Sequence, residues 1–372
     1  MRRHFFAFST FVLTGFFGQA QVVTDSIKTK AEPAASESEN KLSISGYVEA
    51  YYNYGIGAPK AQMYQPYFYN FARQNEVSLN LAYAKLAYAD DKIRGTLSLM
   101  TGNYAQYNLA AEASVFQNLY EGFVGFKLNK NVWIDAGVFS SHIGCESAIG
   151  KDNFNLTRSF IAENSPYYET GVKLTHDRGK KWLFTFLLLN GWQNMRETNT
   201  DKAAGWHIEF KPNSKLTLYS CSFAGNEKAD TAKQYRLFHD FDLVYNASDK
   251  FSFMASFDYG MEQKAKGDTT AGDWNNWFGG CLEAKISPWK KVSIGLRAEQ
   301  YNDKNGVIIS KTTKNGFQTS GLSANVDVKP HSNVMWRTEI RYLNSLDDIF
   351  LNSKSNSTHI NLTAVTSINI SF

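Results

Sequence analysis

The sequence has few cysteines, and after its first 20 residues it has no long apolar run. Its three cysteines, Cys145, Cys221 and Cys281, are odd in number and widely spaced. They fit neither a disulfide framework nor a CxxC metal site, so we interpret them as small packing residues and leave open a disulfide between two of them. The rest of the chain lacks the roughly 20 consecutive apolar residues that a membrane-spanning helix needs.

The sequence also lacks a charge excess and any familiar catalytic motif. It has 39 basic and 35 acidic residues, and removal of a leader containing Arg2 and Arg3 would leave 37 basic ones (39 − 2). This near balance gives no support for a nucleic-acid partner. There is no HExxH, GxSxG, P-loop or EF-hand pattern, and no His lies beside a nucleophile in a usable geometry. We therefore predict neither an enzyme nor a bound cofactor or metal.

The amino-terminal residues have the pattern of an export signal. Arg2 and Arg3 precede the apolar residues 5–17, and Gly18-Gln19-Ala20 forms a small-x-small cleavage site. The alternative, a membrane anchor helix, is disfavoured because the apolar run is too short. Residues 1–20 are thus predicted to be a signal peptide, and the polar residues 21–41 a flexible periplasmic arm.

Aromatic residues are abundant, although the average hydropathy is low. The chain has 27 Phe, 20 Tyr and 8 Trp, yet its mean hydropathy is −0.38. An exported membrane barrel requires this combination, because alternate residues of each strand face lipid and a wet lumen.

Alternation with a period of two recurs from Leu42 to the end of the chain, as expected for strands. The last segment places Ile360, Leu362, Ala364, Thr366, Ile368, Ile370 and Phe372 on one face. The same pattern is present in residues 251–259, 292–299, 322–328 and 334–342. Three places fit poorly: residues 182–190 are apolar on both faces, Lys85 interrupts an apolar face, and His239 lies on one. A bulge or a strand end would explain each case.

The connections between these strands alternate between short and long. Seven short turns are rich in Asn, Asp, Gly, Pro and Ser, as chain reversals require, and lie near residues 90–92, 129–131, 177–180, 212–214, 246–249, 287–289 and 329–332. Eight longer connections lie near residues 57–73, 102–117, 140–165, 193–203, 225–233, 262–272, 302–315 and 344–356. Fifteen connections predict sixteen antiparallel strands over residues 42–372, with fourteen or eighteen left open. Short periplasmic turns and long external loops are typical of an up-and-down transmembrane β-barrel. The soluble alternative, a secreted β-sandwich or propeller, is disfavoured because aromatic and aliphatic residues share one face.

Four strings resemble the OmpL-like family of outer-membrane β-barrel porins. They lie in residues 46–54, 117–144 (QNLYEGFVGFKLNKNVWIDAGVFSSHIG), 157–174 (TRSFIAENSPYYETGVKL) and 190–193. The resemblance covers most of the chain after the leader, and it implies a barrel in the outer membrane of a Gram-negative bacterium. It also implies that the strand ending at Phe372 is recognised by the outer-membrane assembly machinery.

The longest connection, residues 140–165, follows the predicted fifth strand. In sixteen-stranded porins this third external loop folds into the barrel, and Gly144 and Gly150 would permit a sharp path. We predict a pore constriction whose charges select solutes, and the candidates are His142, Glu146, Lys151, Asp152, Arg158 and Glu163. The alternative is a solvated surface loop.

The inward faces of the strands carry charges of both signs. The pore-wall candidates are Arg94, Glu121, Asp135, Arg236, Arg297, Glu299, Arg337, Glu339 and Arg341. Each of them can equally be one member of an ion pair in the wall. Arg297, Arg337 and Arg341 are further predicted to form a basic ladder that faces an acidic loop. The balance of signs favours neither cations nor anions.

These features together predict a porin through which small hydrophilic solutes diffuse passively. Its expected partners are outer-membrane lipid, small polar solutes and the assembly machinery, with a homotrimer as a further possibility. The alternative is a non-conducting barrel that acts as an adhesin or binding protein through its external loops. That alternative rests on the loop aromatics Tyr64, Tyr67, Phe68 and Tyr69, which can also belong to the aromatic girdle.

Overall fold

A computed structural model of the protein describes residues 41–60, 67–268, 270 and 272–372. The predicted signal peptide 1–20, the arm up to residue 40, and Tyr64 lie outside these described residues. The strands and helices of the described residues are β1 Leu42–Gly55, β2 Val77–Ala89, β3 Ile93–Thr101, α1 Asn103–Asn108, β4 Leu119–Asn129, β5 Val132–Ser140, α2 Phe160–Glu163, β6 Tyr168–Asp177, β7 Trp182–Leu189, β8 Ala203–Phe210, β9 Leu216–Asn226, β10 Tyr235–Ser248, β11 Phe251–Gln263, β12 Trp274–Trp289, β13 Val292–Asp303, β14 Phe317–His331, β15 Val334–Ser345, β16 Phe350–Leu351, β17 Ser357–Thr358 and β18 Ile360–Ser371. No helix in this part of the chain is long and apolar enough to cross a membrane.

Sixteen of these strands form one closed antiparallel barrel. β1 to β15 follow one another around the ring, and β18 closes it by pairing with both β15 and β1. Closure leaves no unpaired strand edge, which a bilayer would not tolerate. The two-residue strands β16 and β17 form a separate hairpin in the last long connection. The predicted sixteen-stranded barrel is confirmed.

Three of the predicted short turns lie slightly too early. The strands continue into the predicted turns near residues 246–249, 287–289 and 329–332, ending at Ser248, Trp289 and His331, and the chain reverses at 249–250, 290–291 and 332–333. In each case the register shifts just before the turn, between Asn246 and Ser248, Ile286 and Trp289, and Val328 and His331. A bulge there adds unpaired residues to the strand. These residues have the composition typical of a turn, which is why the sequence pattern places the turn too early.

Alternating residues divide each strand between the lipid face and the lumen. In β15 the side chains of Trp336 and Ile340 are each 53% exposed, whereas Arg337 and Glu339 are fully buried inside the barrel. The exposed residues form the apolar outer wall that hydrocarbon requires. The carboxyl-terminal Phe372 extends this pattern, and its backbone N–H and C=O both pair with Gly46 of β1.

The three poorly fitting segments have different explanations. The β1–β2 register shifts beside Asn80, so a bulge reverses the faces of β2 and turns Lys85 inward, as the sequence analysis allowed. His239 lies on the outward face of β10 in regular register, so the suggested bulge is wrong there, and its ring meets the Ser222 hydroxyl at 2.6 Å. Inward Leu187 and Leu189 of β7 join an apolar cluster inside the barrel.

That apolar cluster fills part of the lumen. The sequence pattern, by contrast, predicts a lumen that is wet throughout. It contains buried aromatics from long connections and from strands, among them Phe68, Phe160, Trp277 and Phe317. The Phe68 and Phe160 rings stack at 5.5 Å, and Phe160 and Phe317 meet edge to face at 5.3 Å. Phe68 therefore lies inside the barrel, neither exposed for adhesion nor placed in the interface girdle. The packed core of the protein is thus inside the lumen.

Candidate functional site

The connection between β5 and β6, residues 141–167, crosses the interior of the barrel. β5 and β13 are eight positions apart (13 − 5) in a ring of sixteen strands, so they lie on opposite sides. Loop residue Thr157 nevertheless contacts Arg297 of β13 and Glu339 of β15. The loop therefore reaches from one wall to the opposite wall.

Buried arginines on the far wall hold the loop by its backbone carbonyls. Arg337 donates to the carbonyl oxygens of Gly150, Asn153 (3.2 Å) and Phe154 (3.2 Å), and pairs with Asp327 at 2.6 Å. Arg341 donates to the carbonyl of Arg158 at 3.0 Å. A guanidinium has five N–H donors, so it can bind several acceptors at once.

Buried carboxylates of the same wall accept hydrogen bonds from backbone N–H groups and a hydroxyl of the loop. Glu339 accepts from the backbone N–H and the hydroxyl of Thr157 at 2.8 and 2.6 Å. Glu299 accepts from the backbone N–H of Phe160 at 2.7 Å and pairs with Arg341 at 2.7 Å. The predicted ladder of arginines facing an acidic loop is therefore wrong. The arginines pair with carboxylates of the wall, and the loop presents carbonyls and N–H groups to them.

The loop is also braced by its own side chains. Glu146 accepts hydrogen bonds from the N–H of Ser159 at 3.1 Å and from its hydroxyl. The Ser159 hydroxyl in turn accepts from the N–H of Ala162 at 3.3 Å, which caps α2. Asn153 bridges the N–H and C=O of Ser147. These contacts fix a compact loop conformation inside the barrel.

His142 anchors the start of the loop to the near wall. Its Nδ1 lies 2.8 Å from both carboxylate oxygens of Glu169, and its Nε2 lies 2.8 Å from the carbonyl oxygen of Ser222. Gly205 of β8 permits this approach, because a Cβ there would lie 2.7 Å from Nε2. Both ring nitrogens are occupied, and neither faces a hydroxyl nucleophile, so this His–Glu pair is a structural anchor.

A cavity of about 640 Å³ remains between the loop and the wall formed by β2 to β8. It extends from the loop to the rim of short turns near Asp91, Lys130 and Asp177. Of the loop candidates, His142, Glu146, Asp152 and Arg158 line this cavity, whereas Lys151 and Glu163 do not. Further charged residues of its lining are Lys85, Asp90, Arg94, Glu121, Lys127, Lys173 and Glu209.

Arg158 keeps unused donors beside this cavity. Its side chain is only 5% exposed, and its guanidinium lies 4.1 Å from the centre of the Tyr167 ring. One nitrogen donates weakly to the carbonyl of Glu146 at 3.5 Å, while Nε and the other terminal nitrogen have no hydrogen-bond partner among the described residues. A buried cation of this kind is poised to bind an acceptor that enters the cavity.

Glu163 braces the loop from the other side. Its carboxylate accepts from the N–H of Tyr69 at 2.8 Å and from the side-chain amide of Asn70 at 3.2 Å. Burial raises the pKa of Glu163, and the nearby Arg158 charge opposes that rise. Glu163 thus joins two long connections inside the barrel.

The wall candidates divide into three groups. Arg94 and Glu121 line the cavity, where Arg94 pairs with buried Asp135 at 2.6 Å and Glu121 pairs with Lys85 at 3.0 Å. Arg236 pairs with Glu262 at 2.6 Å and lies between two Trp rings, away from the cavity. Arg297, Glu299, Arg337, Glu339 and Arg341 are all buried and lie behind the loop. Thr157 is a site residue that the sequence does not predict, because no motif marks it. In the structure it contacts Arg297, Arg341 and Glu339 of the far wall.

A closed sixteen-stranded antiparallel barrel with an apolar outer face, a charged lumen and a loop across that lumen defines an outer-membrane porin. The chain belongs to the family described as "Putative beta-barrel porin-2, OmpL-like", which matches residues 41–372. The resemblance found in the sequence is thereby confirmed.

Solved structures of porins share this fold at low sequence identity. The anion-selective porin from Comamonas acidovorans superposes with a TM-score of 0.59 at 6% identity, covering 89% of this chain and 99% of that one. The outer-membrane channel DcaP of Acinetobacter baumannii has a TM-score of 0.59 at 9% identity, covering 89% and 97%. OmpF of Salmonella typhi, solved with daunomycin, has a TM-score of 0.56 at 11% identity, covering 90% and 98%. No curated protein matches the sequence.

Glu227, in the connection between β9 and β10, should make stability depend on pH. Its carboxylate accepts from the N–H of Trp192 at 2.9 Å, and burial raises its pKa to about 7, against the opposing charge of Arg236. A raised pKa means that its contribution to stability is present at acidic pH and lost as the pH rises through about 7. The loss amounts to about 3 kcal/mol of unfolding free energy.

Urea unfolding of the barrel in lipid vesicles, followed from about pH 4.5 to about pH 8, measures this dependence. In the matched variant Glu227→Gln, the corresponding part of the slope should vanish. An unchanged slope in that variant would assign the pH dependence to another group.

Proposed function

We propose that the protein is a passive diffusion channel for small hydrophilic solutes. The observation that carries this proposal is the cavity of about 640 Å³ that runs from the crossing loop to the short-turn rim with charged side chains along it. Charged side chains are costly in a packed apolar interior, so their position beside an open volume favours a path for solutes over a lumen that is simply filled.

In this proposal, loop 141–167 limits the size of the solutes that pass. The loop is fixed to the far wall by Arg297, Arg337 and Arg341, so the path runs along the β2 to β8 side. There a solute meets Arg158 of the loop on one side and the Lys85–Glu121 and Arg94–Asp135 pairs of the wall on the other. Opposed charges across a narrow passage would orient polar solutes as they pass. Passage is down a gradient and needs no cofactor.

Three further features belong to the same proposal. The chain is exported to the outer membrane of a Gram-negative bacterium by its amino-terminal signal. Its last strand, which ends at Phe372 and pairs with β1, is the segment that the assembly machinery recognises. The porin functions as a homotrimer in that membrane.

Single-channel recording in a planar bilayer tests the proposal. We expect discrete conductance steps from the refolded barrel, because charged groups line its lumen up to the short-turn rim. Heat modifiability in gel electrophoresis is the control that the barrel is folded. A folded barrel without conductance steps would contradict the channel and favour the binding-protein alternative.

A further inference from the structure

Carboxylates outnumber their cationic partners on the interior wall formed by β10, β11 and β12. Asp240 and Asp258 lie directly opposite each other in the β10–β11 register, and Asp242 lies on the same face as Asp240. All three are at most 4% exposed. None has an ion pair with a basic residue in the described part of the chain. Buried negative charge of this density requires compensation by protons or by a cation.

Next to these aspartates, three side chains converge with the spacing of metal ligands. Cys281 and Glu283 are two residues apart on β12 and so share the inward face. Glu146 reaches them from loop 141–167. A carboxylate oxygen of Glu146, the thiol sulfur of Cys281 and a carboxylate oxygen of Glu283 all lie within 4.8 Å of one another, and all three residues are buried.

The Glu283 side chain gives independent support for a ligand at this point. It is 1% exposed, and neither of its carboxylate oxygens has a hydrogen-bond partner within the described ranges of the chain. Its nearest cation is Arg297 at 3.7 Å. That guanidinium is shared with Glu299 at 3.3 Å and Glu339 at 3.2 Å, and Arg341 also pairs with Glu299, so two guanidinium groups face three carboxylates.

From this arrangement we propose that Glu146, Cys281 and Glu283 form a buried zinc site that links loop 141–167 to β12. Tetrahedral Zn²⁺ with one thiolate and two carboxylates places its ligand atoms about 3.5 Å apart, which a small adjustment of these side chains provides. Glu146 can serve although it holds Ser159, because a carboxylate has about four acceptor positions. The thiol excludes Ca²⁺ and Mg²⁺ as the preferred ions, since these take oxygen ligands.

The site would hold the loop in place, and it shares Glu146 with the lining of the proposed conduction path. Metal binding replaces the Cys281 thiol proton and adds a second positive charge beside Glu283, whose cation Arg297 is shared with two other carboxylates. It also adds a link from the loop to β12, beside the hydrogen bonds that join the loop to β13 and β15.

Zinc content after refolding tests the site. We expect the barrel refolded with Zn²⁺ and then freed of excess metal to retain about one zinc ion per chain, and Ca²⁺ not to compete. Cys281→Ser and Glu283→Gln should each lower the affinity for Zn²⁺ by at least about tenfold. The matched control is Cys221→Ser, because Cys221 is another buried wall thiol and lies outside the group.

Cobalt gives a second readout that needs no variant. Co²⁺ bound to the wild-type barrel should show thiolate charge-transfer absorption, and Zn²⁺ should displace it. The absence of stoichiometric zinc from the wild-type barrel, or of the thiolate absorption in its Co²⁺ form, would overturn the proposal. So would zinc binding that is equal in folded Cys281→Ser, Glu283→Gln and Cys221→Ser barrels.

Discussion

Replacement of Arg337 by alanine should lower the free energy of unfolding by about 3–5 kcal/mol. Arg337 is fully buried, and its guanidinium neutralises Asp327 while it binds the carbonyls of Gly150, Asn153 and Phe154. Without it, a buried carboxylate has lost its cation and three loop carbonyls have each lost one donor, although the Gly150 carbonyl still accepts from the N–H of Asn153. The cost is large because each of these groups has already left water.

Urea unfolding in lipid vesicles measures this loss, and the rate of proteolysis within residues 141–167 reports whether the loop has come away from the wall. Arg178→Ala is the matched control, because Arg178 is an exposed residue in the short turn between β6 and β7. We expect a change of less than about 0.5 kcal/mol there. Similar losses in both variants would show that Arg337 does not hold the loop.

Arg158→Gln should shift the permeability ratio toward cations by about fivefold. The side chain lines the cavity, and two of its nitrogens have no hydrogen-bond partner in the part of the chain that the structure describes, so its charge acts directly on an ion that passes at contact distance. A unit charge about 4 Å away contributes about 1 kcal/mol even at the dielectric constant of water, and this energy corresponds to that ratio. The reversal potential in a salt gradient measures it.

Two further variants locate the effect. Arg196→Gln removes a positive charge from the connection between β7 and β8, outside the cavity, and salt screens it over about 10 Å at ordinary ionic strength. Its reversal potential should match that of the wild type. Glu163→Gln should shift the potential less than Arg158→Gln, because its carboxylate faces Tyr69 and Asn70. An equal shift from Arg196→Gln would exclude Arg158 as the selective charge.

The strands could be predicted from the sequence because the environment on each side of the wall selects a residue type. Ile368 and Ile370 face lipid and Ser367 and Asn369 face the lumen. The alternation of apolar and polar residues in β18 therefore predicts which face of the strand is turned to lipid. Turn positions were less accurate, because a bulge such as the one between Ile286 and Trp289 shifts the reversal without changing the composition.

The interior of the barrel could be predicted only in outline. The loop is held largely through its carbonyl oxygens, which every residue has, so the residues at 150, 153 and 154 give no sign that Arg337 binds them. Phe68 has the same side chain whether it lies in an interface girdle or, as here, stacks on Phe160 inside the lumen. Contacts of this kind depend on which strands face each other across the barrel.

The loop that crosses the barrel also constrains the order of assembly. Its bonds to Arg297, Arg337, Glu339 and Arg341 join residues 140 to 187 positions apart in the chain, and Glu49 accepts from Ser367 across 318 positions. Such distant contacts form late, because the entropy of closing the intervening chain must first be overcome. The loop can therefore dock only after β13 and β15, which carry its partners, have joined the sheet, so its insertion is a late step in the assembly of the barrel.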